Sequence, residues 1–178
     1  LMGWPLPLIA IQLLWINLIT DGLPALALGV DPSSKDIMNE KPRKKDTPII
    51  DKDMKFHIFI IGILIAAATL FLFNRSLSNG LVYARTIAFT SLVVFEIFRL
   101  QMVRARFHTK IFSNKYLILA VLSSIALQLL VIYTPLANVF HTTAIQLVDW
   151  AYIIGIGAII YVIGMGIRII GNRIIVKS

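Results

Sequence analysis

The sequence predicts an all-α protein, a polytopic membrane helix bundle of five transmembrane helices. Three observations carry that expectation. Apolar residues gather in five runs, about 6–30, 56–73, 86–103, 116–133 and 149–167, each near the roughly 17–25 residues that cross a bilayer as a helix. The hydrophobic class makes up 58% of the 178 residues, above the roughly 45–50% of an ordinary soluble domain. The basic residues lie between the runs, where membrane topology puts them. A net charge of +8 would otherwise invite nucleic acid, but this distribution makes the partner a lipid bilayer and no nucleic acid. With no cysteine, disulfides are excluded.

The first run is the chemically loaded one. Within Gln12-Leu-Leu-Trp-Ile-Asn17-Leu-Ile-Thr20-Asp21-Gly22-Leu-Pro24, Asn17, Thr20 and Asp21 fall at i, i+3 and i+4, so their oxygens share one helical face. They sit near the middle of the run, where an ionised carboxylate costs roughly 2.5–3.5 kcal/mol. Pro24 removes the N–H that would bond the Thr20 carbonyl, and Gly22 weakens the helix beside it. The expectation is a helix unwound or kinked between Asp21 and Ala25. Such a break survives in mid-membrane only where protein or a polar cavity receives the freed groups. An amide, a hydroxyl, a carboxylate and a freed carbonyl outline a hard-cation site. The plainer reading is a polar patch bonding neighbouring helices.

The stretch LLWINLITDGLPALALGVDP resembles the sixth membrane helix of the type II P-type cation-transporting ATPases, in particular calcium pumps of the sarcoplasmic reticulum type and their prokaryotic relatives. The resemblance implies that Asn17, Thr20 and Asp21 bind transported calcium. Sodium/potassium pumps are similar but usually carry Asp where this chain has Asn17. On this likeness the chain is expected to be the C-terminal transmembrane domain, 1–178, covering the sixth to tenth helices. Its beginning with Leu inside an apolar stretch fits a piece of a longer protein.

Between the first two runs, residues 31–55 are polar, broken by Pro32, Pro42 and Pro48, and carry the basic cluster Lys41–Lys45. A solvated face explains the cluster. The resembling pumps have a similar loop here, with Asp36-Ile37-Met38 and Pro42-Arg43, which packs under their phosphorylation domain. Of the 17 Lys and Arg, only Arg75 and Arg85 fall on the opposite side. The 31–55 loop, the 104–115 loop and the C-terminus are therefore expected to be cytoplasmic in a multi-pass integral membrane protein.

The second run carries Gly62 and Ala66, a small-xxx-small pair that suits close helix approach. The third holds Glu96. It lies seven residues from Val103, as Asp21 lies nine from Val30, which at the helical rise puts them at about 10 and 13 Å, a similar depth. Two acids at one level repel unless a cation or proton joins them. The resemblance implies a ligand role for Glu96, within Val94-Phe95-Glu96-Ile97, toward a second site. One turn on, however, this chain has Arg99 where those pumps commonly have Asn. Arg99 could neutralise Glu96 as an i+3 pair, or extend its stem to the membrane surface. In the fourth run Ser123, Ser124 and Gln128 suit interhelical hydrogen bonds. In the fifth, Gly155, Gly157, Gly164 and Gly166 permit close packing, and Asp149-Trp150 opens the run at the interface. The 133–150 stretch also resembles the pumps' last external loop.

His57, His108 and His141 are scattered, so no histidine-based transition-metal site is visible. The Asp-Lys-Thr-Gly-Thr phosphorylation segment, the Thr-Gly-Glu loop and a nucleotide domain do not occur in this chain. Its enzymatic role is therefore tied to a full-length pump: ATP and Mg would belong to the missing domains, and calcium would be the transported ion. The implied partners are the missing N-terminal helices and cytoplasmic domains of the same pump. The implied mechanism is alternating access driven by an aspartyl-phosphate elsewhere. A secondary cation or proton transporter using Asp21 and Glu96 on a broken helix is the alternative. It would be favoured by an inverted repeat, and none is visible. A membrane anchor without transport leaves the two buried acids unexplained.

Overall fold

The computed structural model describes residues 5–30, 52–106 and 114–175, and of these the side chains of residues 21, 52–53, 106 and 168–175 are not described. The loop 31–51, with its basic cluster and its Asp36-Ile37-Met38 and Pro42-Arg43 features, lies outside the described residues, as does His108. Helices α1 (Ala10–Ile16), α2 (Leu23–Gly29), α3 (Lys52–Ser76), α4 (Leu81–Arg106), α5 (Lys115–Tyr133), α6 (Ala137–Phe140) and α7 (Leu147–Ile175) follow in order, with a π-helical segment, Asn17–Gly22, joining α1 to α2. No strand occurs among the described residues, and five helical stretches are long and apolar enough to cross a membrane.

Local chemistry sets the ends of these helices. Gly80, at φ 103°, makes the reversal between α3 and α4, a backbone region open chiefly to glycine. Asn114 caps α5: its side-chain oxygen accepts from Leu117 N at 3.0 Å, satisfying a donor that the first helical turn leaves over. Helices α3, α4 and α7 outrun the apolar runs that announce them by several residues. α4 starts at Leu81, and its first turns carry Tyr83 and Arg85; Arg85 Nε donates to Leu6 O at 2.9 Å. Hydropathy marks the apolar slab, whereas the helix continues wherever its polar residues find partners.

The main apolar core joins α3, α4 and α7. Ile61, Ile65 and Leu72 meet Ile87, Phe95 and Met102, and Ile153 and Ile160 close the cluster. Two glycines of α7 make this approach possible. A Cβ on Gly157 would stand 2.6 Å from two ring carbons of Phe98, and one on Gly164 would overlap the Met102 sulfur. Gly155 and Gly166 have nothing within 4 Å of such a Cβ. The same is true of Gly62, so the close approach expected at Gly62 and Ala66 is not made by any described helix. The small residues that seat a neighbour lie on α7 instead.

At the end of the bundle near Gly80, a polar cluster ties four helices. Asp149 is buried at 8% exposure; it accepts from the Tyr83 hydroxyl and faces Arg75 at 3.6 Å. The Arg75 guanidinium lies 3.8 Å over the Tyr152 ring, a cation–π geometry. Trp150 Nε1 donates to the Tyr133 hydroxyl at 2.9 Å, and that hydroxyl donates to Ile145 O at 3.0 Å.

Gly157→Ala should destabilise the protein by about 1–3 kcal/mol, the usual cost of overpacking against a stiff neighbour. Gly155→Ala, two residues away and facing open space, should be neutral or gain up to about 1 kcal/mol from helix propensity. Thermal unfolding in detergent distinguishes them, and equal shifts would contradict the packing described. In the polar cluster, Asp149→Ala should cost more than Arg75→Ala. It strands the Tyr83 hydroxyl and an arginine together, whereas the Arg75 side chain is 39% exposed and its ion pair is worth about 1 kcal/mol or less.

Candidate cation site

The first membrane helix is helical throughout but changes its winding. α1 begins after Ile9, whose N–H is taken by the Gln12 side-chain oxygen at 3.3 Å. α-helical turns run to Ile16, the π segment spans Asn17–Gly22, and α2 resumes at Leu23 with Pro24 in its first turn. Pro24 explains the placement. A first-turn residue needs no N–H bond of its own, but α winding would send the Thr20 carbonyl to Pro24, which has no N–H. With the i→i+5 spacing of a π turn it is the Ile19 carbonyl that comes to Pro24, and that carbonyl accepts from the Ser124 hydroxyl at 3.1 Å. The expected unwinding between Asp21 and Ala25 is thus corrected: the irregularity is a widened turn beginning at Asn17, and the chain stays helical through Pro24.

This helix has two faces. Its back, with Gln12, Ile19, Pro24 and Ala27 buried, lies mainly against α5, and polar groups fasten it there. Trp15 Nε1 donates to Gln128 Oε1 at 3.2 Å, and Gln128 Nε2 reaches the Thr90 hydroxyl at 3.4 Å. Ser124 Oγ donates to Ile19 O at 3.1 Å. Asn114 Nδ2 donates to Ala27 O at 2.7 Å, and Gln12 Nε2 to Phe140 O at 3.1 Å. The front carries exposed Leu13, Leu14 and Leu18, and Asn17 is exposed among them. Thr20 is half-buried, and its hydroxyl donates to Ile16 O at 2.6 Å. That bond uses the hydroxyl proton and leaves a lone pair able to accept a cation. The Asp21 backbone belongs to the π segment; its side chain is outside the described residues.

Glu96 stands level with this segment. α4 contacts the π segment directly, and two clusters bracket the height. Phe89 and Val93 share one with Trp15 and Ile16; Leu100 joins Ala27 and Leu28 in the other. Glu96 falls between them. Its carboxylate, however, meets Arg99 Nε at 2.5 Å and lines a groove of about 270 Å³ with His57, Ile61 and Gly62 of α3. Of the readings open for Arg99, the structure contains the i+3 pair. Glu96 and Thr20 thus hold different partners, and no three His, Cys, Asp or Glu gather into a metal-sized group among the described residues. Ser124 and Gln128 bond other helices as expected, while Ser123 turns back to Leu119 O of its own helix at 2.5 Å. Gln12 and Trp15 were not singled out by the sequence. The signal was there for Gln12, since an uncharged amide inside an apolar span must find a partner.

Comparison with known proteins bears on this geometry. The model of the family described as "Cation transporting ATPase, C-terminus" matches residues 5–170. A protein of Bacillus subtilis named "Calcium-transporting ATPase" is 43% identical over 169 residues, 89% of this chain and 19% of that protein. "Calcium-transporting ATPase type 2C member 1" of Mus musculus is 40% identical over 163 residues, 88% of this chain and 18% of its own length. "Calcium-transporting ATPase 1" of Bacillus cereus is 37% identical over 176 residues, 86% and 20% respectively. The chain therefore spans about a fifth of these relatives. Their names are bacterial and type 2C calcium pumps, and the narrower likeness to the sarcoplasmic reticulum type rests on the motif. With nearly its whole length matched, this all-helical chain belongs to the cation-transporting ATPase C-terminal family, the membrane C-terminal part of P-type pumps.

Proposed function

We propose that the chain is the cation-coordinating membrane part of an ATP-driven calcium pump, with Asn17, Thr20 and Asp21 holding the transported ion and Glu96 contributing from α4. The observation that carries this reading is the π segment Asn17–Gly22 in the middle of an apolar span, which presents the Asn17 amide on an exposed face. Lipid offers an amide no hydrogen bond, so such a face is built for a polar partner. π turns inside α-helices recur at functional sites for the same reason. The relatives' names support calcium as the cargo.

Chemically, calcium takes six to eight oxygens at roughly 2.3–2.6 Å. Asn17 offers one, Thr20 one, and Asp21 and Glu96 one or two each. The missing helices of the same pump supply the rest, and its cytoplasmic domains bind ATP and Mg. The C-terminus and the 31–55 and 104–115 loops face the cytoplasm, because the basic residues concentrate there. For Glu96 to serve the ion, Arg99 has to release it. The Arg99 side chain is 46% exposed, so its long stem can carry the guanidinium to the membrane surface. A secondary transporter would use the same acids as proton carriers, but no inverted repeat favours it.

In the full-length pump, Asp21→Asn should weaken calcium activation of ATP hydrolysis by about tenfold or more, each tenfold being about 1.4 kcal/mol. Unchanged activation would overturn the assignment. Glu96→Gln should lower calcium affinity or stoichiometry while Arg99→Asn should not; unchanged transport with a lower melting temperature would make Glu96 a structural partner of Arg99 instead. The isolated chain in detergent should show no calcium site tighter than about millimolar by titration calorimetry, the weak end of protein calcium sites. A micromolar site abolished by Asp21→Asn would mean that these helices supply a full shell.

A further inference from the structure

Three bonds fasten the site helix to α5 in antiparallel order: Trp15 to Gln128, Ile19 to Ser124, and Ala27 to Asn114. The outer two lie on regular α-helical turns on either side of the widened one. The middle one lands on it, because Ile19 is inside Asn17–Gly22. We propose that Ser124 is a positioning residue for the cation site: through the Ile19 carbonyl its hydroxyl fixes the winding of the π segment, and thereby the mutual placement of Asn17, Thr20 and Asp21. This rests on the function proposed above and names a residue outside the coordinating set.

A serine inside a helix ordinarily bonds a carbonyl one turn back, and Ser124 does so, to Ala120 O at 2.9 Å. Its single proton is shared with Ile19 O at 3.1 Å. Ser124 is 1% exposed and Ile19 3% exposed, so no lipid or water competes for that carbonyl. Ser123, its neighbour, provides the contrast, because both its bonds stay within α5.

The consequence for the site follows from helix geometry. A π turn holds one residue more than the α turn it replaces, and each α residue turns the helix by about 100°. If the segment relaxed toward α winding, or the extra residue moved along the helix, Asn17 would rotate by up to about a quarter of a turn relative to Asp21. The Trp15 and Ala27 bonds hold the flanking turns in register, and Ser124 pins the extra residue between them. Without the hydroxyl the helix remains docked, but the three ligands no longer keep one spacing.

The test uses the full-length pump in proteoliposomes, reading the calcium concentration for half-maximal ATP hydrolysis, the maximal rate, and thermal unfolding. Ser124→Ala should raise the half-maximal calcium concentration about three- to tenfold with the maximal rate within about twofold of the parent. Ser124→Thr, which keeps the hydroxyl, should restore it, and Ser123→Ala should match the parent. If Ser124→Ala does not fold, Ser124→Cys, nearly isosteric and a weak donor, is expected to show the same shift. Equal shifts in the Ala and Thr variants would overturn the proposal, since volume and not the hydroxyl would then matter. A parent-like half-maximal concentration for Ser124→Ala overturns it as well. Asp21→Asn runs alongside: if it too leaves calcium activation unchanged, the coordinating role itself has failed. If it weakens activation while Ser124→Ala does not, only the positioning role has.

Discussion

Inside an apolar slab a backbone carbonyl has no water to turn to, and the first membrane helix is arranged around that constraint. Pro24 deprives the turn before it of a donor, and the chain answers by widening Asn17–Gly22 into a π segment rather than by unwinding. The back of the helix then exchanges hydrogen bonds with its neighbours. Ser124 reaches Ile19 O, Asn114 reaches Ala27 O, and Gln12 turns its own amide to Phe140 O. Each bond is modest in water but costly to leave unmade in a dry interior. Satisfying the back in this way leaves the front of the same turns, with Asn17, available for other chemistry.

The bundle therefore has two kinds of seam. α3, α4 and α7 meet through branched and aromatic side chains, with α7 glycines receiving Phe98 and Met102. α1 and α2 meet α5 through amides and hydroxyls as well as an apolar contact of Ala27 with Leu117 and Ala120. α4 belongs to both, since Phe89 and Val93 turn toward Trp15 and Ile16 while Phe95 and Met102 turn toward α3 and α7. Glu96 lies on the helix where the two seams join. Its carboxylate is held by Arg99 on the α3 side, although its backbone is level with the π segment. Apolar packing supplies cohesion without direction, and the polar seam supplies rotation and height.

Much of this was legible in the residues. Five apolar runs became five membrane-length helices, and the Asn-Thr-Asp face with Pro24 marked the π-helical turn. Its form was less legible: a proline announces a missing donor, but whether the helix breaks or widens depends on the carbonyl partners α5 provides. The glycine pattern misled at Gly62, because a small residue permits approach without naming the helix that comes. Gly157 and Gly164 differ from Gly155 and Gly166 in what α4, and at Gly164 also Ile61 of α3, sets opposite them. The Glu96–Arg99 pair was visible as an i+3 spacing, yet spacing does not decide between a pair and a snorkelling arginine. The side of α4 that lies against α3 does.

The seating of Phe98 against Gly157 makes the two positions share one fixed volume. Neither can change size independently: bulk gained on α7 has to be surrendered on α4, so substitutions here are expected to come as matched exchanges. Two turns along, Gly164 faces Met102, an unbranched thioether whose three rotatable bonds let it yield. The same seam is thus hard at one point and compliant at the next. α7 is located against α4 by a rigid contact near its middle and is free to adjust beyond it.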